Sequence, residues 1–164
     1  MPTHDAAAFR RLCAQYRWLA IFMVVSVGGL LALMHIGFPL ALWLRDGVVR
    51  EGGIGAAVFA LPTVCYLYGV WAIGQGLGDV SRGRLIQPTL SGTLRKVGLA
   101  LGVGGLLSVF GVTNILRLIG ETNGGYLYFD VAGMTLGMIG GALYLLGRVV
   151  DHAGRVQAEL DDMI

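Results

Sequence analysis

The chain has 164 residues, of which 55% are hydrophobic and 13% are charged. Because a water-soluble domain carries about 25% charged residues, this composition excludes an ordinary soluble core. The net charge of +2 is also too small to indicate nucleic-acid binding by bulk electrostatics.

The first apolar stretch follows a mixed polar arm. Within the arm, residues 1–17, apolar side chains recur at helical spacing, which predicts an amphipathic helix. Residues 18–43 are then almost uninterrupted apolar sequence, longer than the roughly 20 residues that a membrane span needs. Gly37 and Pro39 predict that the helix ends near residue 37. The first span is therefore placed at about 18–38, with the remainder in the membrane interface.

Three further apolar stretches predict spans at about 56–78, 97–119 and 126–150. The apolar stretches are continuous rather than alternating, which excludes a strand barrel. In the polar tail, residues 151–164, apolar side chains keep helical spacing, so the fourth helix is expected to continue into it. The sequence thus predicts an all-α, polytopic membrane protein, with a four-helix transmembrane bundle over 18–150.

The orientation follows from the distribution of positive charge. Three basic residues lie on one side of the predicted spans, at Arg45, Arg50 and Arg117. Nine lie on the other side, at Arg10, Arg11, Arg17, Arg82, Arg84, Arg95, Lys96, Arg148 and Arg155. Cytoplasmic segments carry the excess of Lys and Arg, so both termini and the central loop are predicted to be cytoplasmic.

A basic segment on this cytoplasmic side is the first candidate binding site. It contains Arg82, Arg84, Arg95 and Lys96. One interpretation is that these charges only orient the helices and touch anionic lipid headgroups. The other is that they form a docking surface for an acidic protein partner. Direct nucleic-acid binding is not expected, because the loop lacks aromatic side chains for base stacking.

The polar tail is the second candidate. It carries an acidic excess and an apolar stripe, which includes Val156 and Leu160 beside Glu159. Three possibilities stay open. The tail could be a solvated extension, fold back onto the basic segment, or present its stripe to a partner as a helix-in-groove ligand.

Glycine spacing predicts how the helices pack. Gly98 and Gly102 are four residues apart on the third span, and Gly133, Gly137 and Gly141 form a GxxxGxxxG ridge on the fourth. Such a ridge, the pattern of a glycine zipper, gives a flat face for close helix contact. The contact is expected within the monomer, and a homo-oligomeric contact stays open.

Ionisable residues near the opposite side are expected to pair. Arg117 ends the third span, Asp130 lies early in the fourth, and Glu121 lies in the glycine-rich turn between them. A charged group in lipid needs a partner, so an Arg117–Asp130 or Arg117–Glu121 ion pair is predicted.

His35 is the only histidine inside a predicted span. A single histidine cannot hold haem between two axial histidines, and His152 lies on the far side of the membrane. His35 is therefore expected to be an interfacial residue, with a quinone or single-ligand site as the alternative.

Motifs of known enzyme chemistry are missing from the sequence. It contains no HExxH, CxxC, GxSxG or phosphate-binding loop. The sequence therefore predicts a non-enzymatic protein without metal or cofactor.

Two segments carry a family resemblance: SRGRLIQPTLSGTLRKVGLAL (81–101) and GRVVDHAGRVQAELDDMI (147–164). Both resemble the YoaS-like family of small four-span bacterial membrane proteins of unknown function. The resemblance implies a multi-pass protein of the bacterial inner membrane. It also implies a cytoplasmic partner, a small helix-turn-helix transcription regulator encoded nearby, which the protein would sequester or modulate. The alternative is an accessory or cofactor-binding (haem or quinone) subunit of a respiratory or transport complex.

Overall fold

The computed structural model describes residues 3–46, 53–82, 86–120 and 125–161. All regular structure within these ranges is helical. Four helices are long and apolar enough to cross a membrane. The predicted all-α class with four membrane-length helices is therefore confirmed, as expected for a multi-pass membrane protein.

The first helix is continuous from residue 3 to residue 46. It runs as an α-helix over Thr3–Ala32, widens into a π-turn at Leu33–Gly37, and continues as an α-helix over Phe38–Asp46. The prediction that it ends near residue 37 is wrong. In an α-helix the ring of Pro39 would clash with the carbonyl four residues earlier. The π-turn, which adds one residue to the turn, relieves that clash, so the helix continues past the proline.

The other three helices have the following bounds. The second helix spans Gly53–Ser81 and contains one internal proline. The third helix runs over Ile86–Leu106, a π-turn at Leu107–Gly111 and Val112–Leu118. The fourth helix spans Val131–Asp161. The amphipathic arm is thus part of the first helix, and most of the tail is part of the fourth, as the apolar spacing predicted.

An irregular segment before the fourth helix lies along the third helix. The Tyr128 N–H donates to the Val109 carbonyl at 3.0 Å, in the π-turn, where the regular helical bonding pattern is interrupted. The Asn114 amide donates to the Tyr126 carbonyl at 3.2 Å. These bonds tie residues 125–130 to the third helix in an irregular conformation, so the fourth helix begins at Val131 rather than at Tyr126.

The four helices pack in chain order, first on second, second on third, and third on fourth. Among the described residues the first and fourth helices make no extensive contact, so the bundle is an open row rather than a compact one. Large apolar side chains are consequently exposed, and Trp18 and Phe22 on the first helix are 73% and 71% exposed. In a bilayer these side chains would contact lipid chains.

The closest contact joins the third and fourth helices. A Cβ added to Gly98 would lie 2.6 Å from the Gly140 carbonyl oxygen and 2.8 Å from the Tyr144 Cα. A Cβ added to Gly105 would lie 2.6 Å from the Gly137 Cα. Only glycine permits this approach of two backbones.

The glycines of the fourth helix that contact the third helix follow a seven-residue repeat. On the fourth helix Gly133, Gly137 and Gly140 face the third helix, separated by four and then three residues. That spacing has the 3.5-residue period of coiled coils. Gly140 contacts the backbone of Gly102 on the third helix. Gly141, which a strict four-residue repeat would include, lies off this seam, and a Cβ there would meet nothing within 4 Å.

Candidate functional site

The candidate site lies at the end of the row where the first and third helices begin and the second and fourth end, which we call the basic end. Arg82 lies there in the turn after the second helix, with its side chain exposed. Arg95 and Lys96 are exposed on the third helix. Arg84 lies outside the described residues.

Arg95 and Lys96 point to different neighbours. The Arg95 guanidinium carbon lies 5.9 Å from the centroid of the Tyr144 ring on the fourth helix, and its side chain packs against Gly147. Lys96 instead lines a pocket toward the second helix. Consecutive residues on a helix are about 100° apart, so the two cations belong to different surfaces.

The tail projects as an uninterrupted continuation of the fourth helix. Asp151 bonds to Arg155 of the same helix at 2.6 Å. Val156 and Leu160 are 43% and 54% exposed, and Glu159 is exposed too. Within the described residues the tail therefore does not fold back, and its apolar stripe is uncovered.

A polar pocket of about 380 Å³ opens between the second and third helices at the basic end. Its polar lining comprises Gln75, Asp79, Thr89, Thr93 and Lys96. This pocket was not predicted from the sequence. A usable signal was present, because Gln75 and Asp79 are four residues apart in the last turns of an apolar helix and hence share one face.

Arg17 approaches the same region from the first helix. It lines a small cleft with Trp71 and Gln75. A Cβ added to Gly78 would lie 2.9 Å from the Arg17 Cδ, so the glycine leaves room for the arginine side chain. Neither Arg17 nor Lys96 forms a hydrogen bond or ion pair with the residues that the structure describes.

An apolar groove of about 560 Å³ runs between the first and second helices. It is lined by aliphatic side chains, with His35 toward the opposite end of the row. Tyr68 and Trp71 line both this groove and the polar pocket, and their ring centroids are 6.0 Å apart. The groove and the pocket therefore adjoin at these two rings, and we refer to the two together as the channel along the second helix.

At the opposite end the structure does not bring the predicted ion pair together. Asp130 accepts hydrogen bonds from the Ser108 hydroxyl and from the Ala132 N–H, the latter at 3.1 Å, and so caps the fourth helix. The Arg117 guanidinium carbon lies 4.1 Å from the centroid of the Tyr126 ring. Both groups thus have other partners, while Glu121 falls outside the described ranges.

His35 bridges the first and second helices. Its Nδ1 lies 3.0 Å from the Leu31 carbonyl oxygen, and its Nε2 lies 3.0 Å from the Ala56 carbonyl oxygen on the second helix. A carbonyl can only accept, so a neutral ring makes one of these bonds and a protonated ring makes both. Both ring nitrogens therefore lie against backbone carbonyl oxygens.

We expect His35→Leu to lower the free energy of unfolding by about 0.6 to 2 kcal/mol, the range of single interhelical hydrogen bonds in membranes. The measurement is an SDS titration in maltoside micelles followed by helical circular dichroism. His152→Leu, at an exposed position of the tail, is the control. Equal stability of the two variants would mean that the bridge contributes nothing.

Metal-binding constellations are not found in the described part of the chain, where no three His, Cys, Asp or Glu side chains cluster. Cys13 and Cys65 are free thiols. Comparisons with protein-family models, curated proteins and solved structures found no match to this chain.

Proposed function

We propose that this protein is a non-enzymatic, multi-pass protein of the bacterial inner membrane that binds a cytoplasmic protein partner through its projecting tail helix. The observation that carries the proposal is the uncovered apolar stripe of that tail. Both termini are cytoplasmic in this proposal, because the basic end carries most of the positive charge and positive segments stay inside.

The tail has the form of a helix-in-groove ligand. Val149, Ala153, Val156 and Leu160 follow one another at intervals of four, three and four residues, so they share one helix face. All four side chains are exposed. The helix runs to Asp161, about 16 Å past residue 150 at 1.5 Å per residue. A stripe of this length matches the anchor spacing of amphipathic helices that dock into grooves.

The proposed partner is a small helix-turn-helix transcription regulator. The support is the resemblance of segments 81–101 and 147–164 to the YoaS-like family. A regulator held on the tail would be kept at the bilayer and away from DNA, so the protein would sequester or modulate it. Arg82, Arg84, Arg95 and Lys96 would steer an acidic partner toward the basic end, since complementary charge raises association rates.

The test is recovery of the regulator encoded beside the gene by pull-down from native membranes. We expect Val156→Asp with Leu160→Asp to reduce recovery at least tenfold, because burial of each apolar anchor contributes about 1.5 to 3 kcal/mol. Ala158→Asp adds one such charge at an exposed position on the other face of the tail, and should retain binding within about twofold.

A second arm neutralises Arg82, Arg84, Arg95 and Lys96 together to glutamine. Slower association at low salt is expected, with little change at high salt, where exposed charges are screened. Unchanged binding under both conditions would remove the basic segment from the interface. If the tail double variant also binds normally, the proposed function itself is wrong.

A further inference from the structure

We propose that the channel along the second helix is a binding site for a single anionic phospholipid, with its phosphate between Arg17 and Lys96 and an acyl chain over Trp71. This inference does not depend on the proposed protein partner. It rests on the basic side chains on either side of Gln75, the depth of the pocket along the helices and its position next to the apolar groove.

The charges at the pocket favour an anion. Arg17 and Lys96 come from the two helices that flank the second, and Gln75 lies on the face between them. Arg17 is half-buried and, like Lys96, has no ion-pair partner among the described residues. An anionic phospholipid would offset the positive charge of these two side chains, whereas a zwitterionic lipid brings a positive group of its own.

The pocket lies at the depth of a lipid headgroup. Asp79 is two residues from the end of the second helix at Ser81, and Thr89 is three residues from the start of the third at Ile86. At 1.5 Å per residue, Trp71 lies about 12 Å deeper than Asp79. Half of a bilayer's hydrocarbon core is about 15 Å. A headgroup in the pocket would therefore place its acyl chains at the level of Trp71 and beyond.

The apolar groove explains why the ligand is a lipid and not a free anion. Tyr68 and Trp71 line both the pocket and the groove, and the groove extends past Val64 toward His35. A soluble phosphate would occupy only the polar part. A phospholipid occupies both parts, and it can enter sideways because the row of helices is open.

The test uses Trp71 as the reporter. Trp18→Phe with Trp43→Phe leaves Trp71 as the sole tryptophan, since the chain has three. Phosphatidylglycerol with brominated chains, which quench tryptophan on contact, is added to the protein in maltoside micelles and compared with brominated phosphatidylcholine. We expect half-quenching by phosphatidylglycerol at about a fivefold lower mole fraction, the effect of one net charge near the surface. Equal quenching by the two lipids would overturn the proposal.

Charge variants in the same background locate the site. Lys96→Gln, at an exposed position, should remove most of the preference for phosphatidylglycerol. Arg148→Gln, an exposed basic residue at the same end that does not line the pocket, should keep it. Asp79→Asn should enlarge the preference, because it removes a negative charge from the lining of the pocket. The opposite ranking of Lys96→Gln and Arg148→Gln would contradict the assignment.

Inorganic phosphate distinguishes the two sources of an anion. Millimolar phosphate, with ionic strength held constant by sodium chloride, should leave the quenching by phosphatidylglycerol unchanged. If phosphate abolishes the preference, the pocket is a free-anion site and the lipid proposal is wrong.

Discussion

Gly140→Ala is expected to destabilise the protein by about 1 to 3 kcal/mol, the usual cost of forcing extra volume into a tight contact. The added Cβ would lie 2.7 Å from the Gly98 carbonyl oxygen and 2.9 Å from the Gly102 Cα. Both are backbone atoms, so no side-chain rotation can relieve the overlap. The third and fourth helices would have to separate, which weakens the most extensive helix contact in the molecule.

Gly141→Ala is the matched control, because it makes the same change one residue further along the helix. A Cβ at Gly141 would meet nothing within 4 Å, so this variant should be neutral or slightly more stable, since alanine is the better helix former. SDS titration in maltoside micelles, followed by helical circular dichroism, gives both free energies of unfolding. Equal destabilisation of the two variants would contradict the placement of Gly140, and not Gly141, in the contact between the third and fourth helices.

Asp130→Ala is expected to lower the free energy of unfolding by about 2 to 4 kcal/mol, which is the second large effect. The carboxylate caps the fourth helix through the Ala132 N–H and accepts the Ser108 hydroxyl of the third helix. Loss of an N-cap costs about 0.5 to 2 kcal/mol. A donor left unsatisfied away from water costs about 1 to 3 kcal/mol more. Because the same side chain joins two helices, its loss should also loosen the start of the fourth helix.

Two variants separate the cap from a general effect of charge. Asp130→Asn keeps an oxygen acceptor and should recover much of the lost stability. Asp151→Ala removes the carboxylate of an exposed i,i+4 pair with Arg155, which should cost no more than about 0.5 kcal/mol. If Asp130→Ala and Asp151→Ala have equal free energies of unfolding in micelles, Asp130 does not have the capping role given to it here.

The basic end presents two surfaces rather than the one that the sequence indicated. Arg95 lies over Tyr144 toward the fourth helix, while Lys96 lines the pocket toward the second. Substitutions on the two surfaces should therefore have different effects. Lys96 variants are expected to change the lipid preference, and tail variants at Val156 and Leu160 are expected to change the recovery of a protein partner.

The sequence alone determined the number and type of the elements. Four apolar stretches long enough to cross a bilayer have to form helices, because a lipid environment leaves no other partner for the backbone of a single segment. The extension of the first helix into the arm and of the fourth into the tail also followed from local spacing. These features depend on neighbouring residues along one chain, which is the information that periodicity contains.

Only the tertiary structure decided which residues meet between helices. Glycine spacing indicated close contact, but the choice of Gly140 over Gly141 depends on how one helix is rotated against another. The continuation of the first helix past Pro39 depends on a π-turn, which no residue pattern announced. Asp130 bonds to Ser108 instead of Arg117 because the irregular segment 125–130 places it beside Ser108. Gln75 lies between a cleft that Arg17 lines and a pocket that Lys96 lines, so residues of three helices meet there and no single stretch of sequence could reveal it.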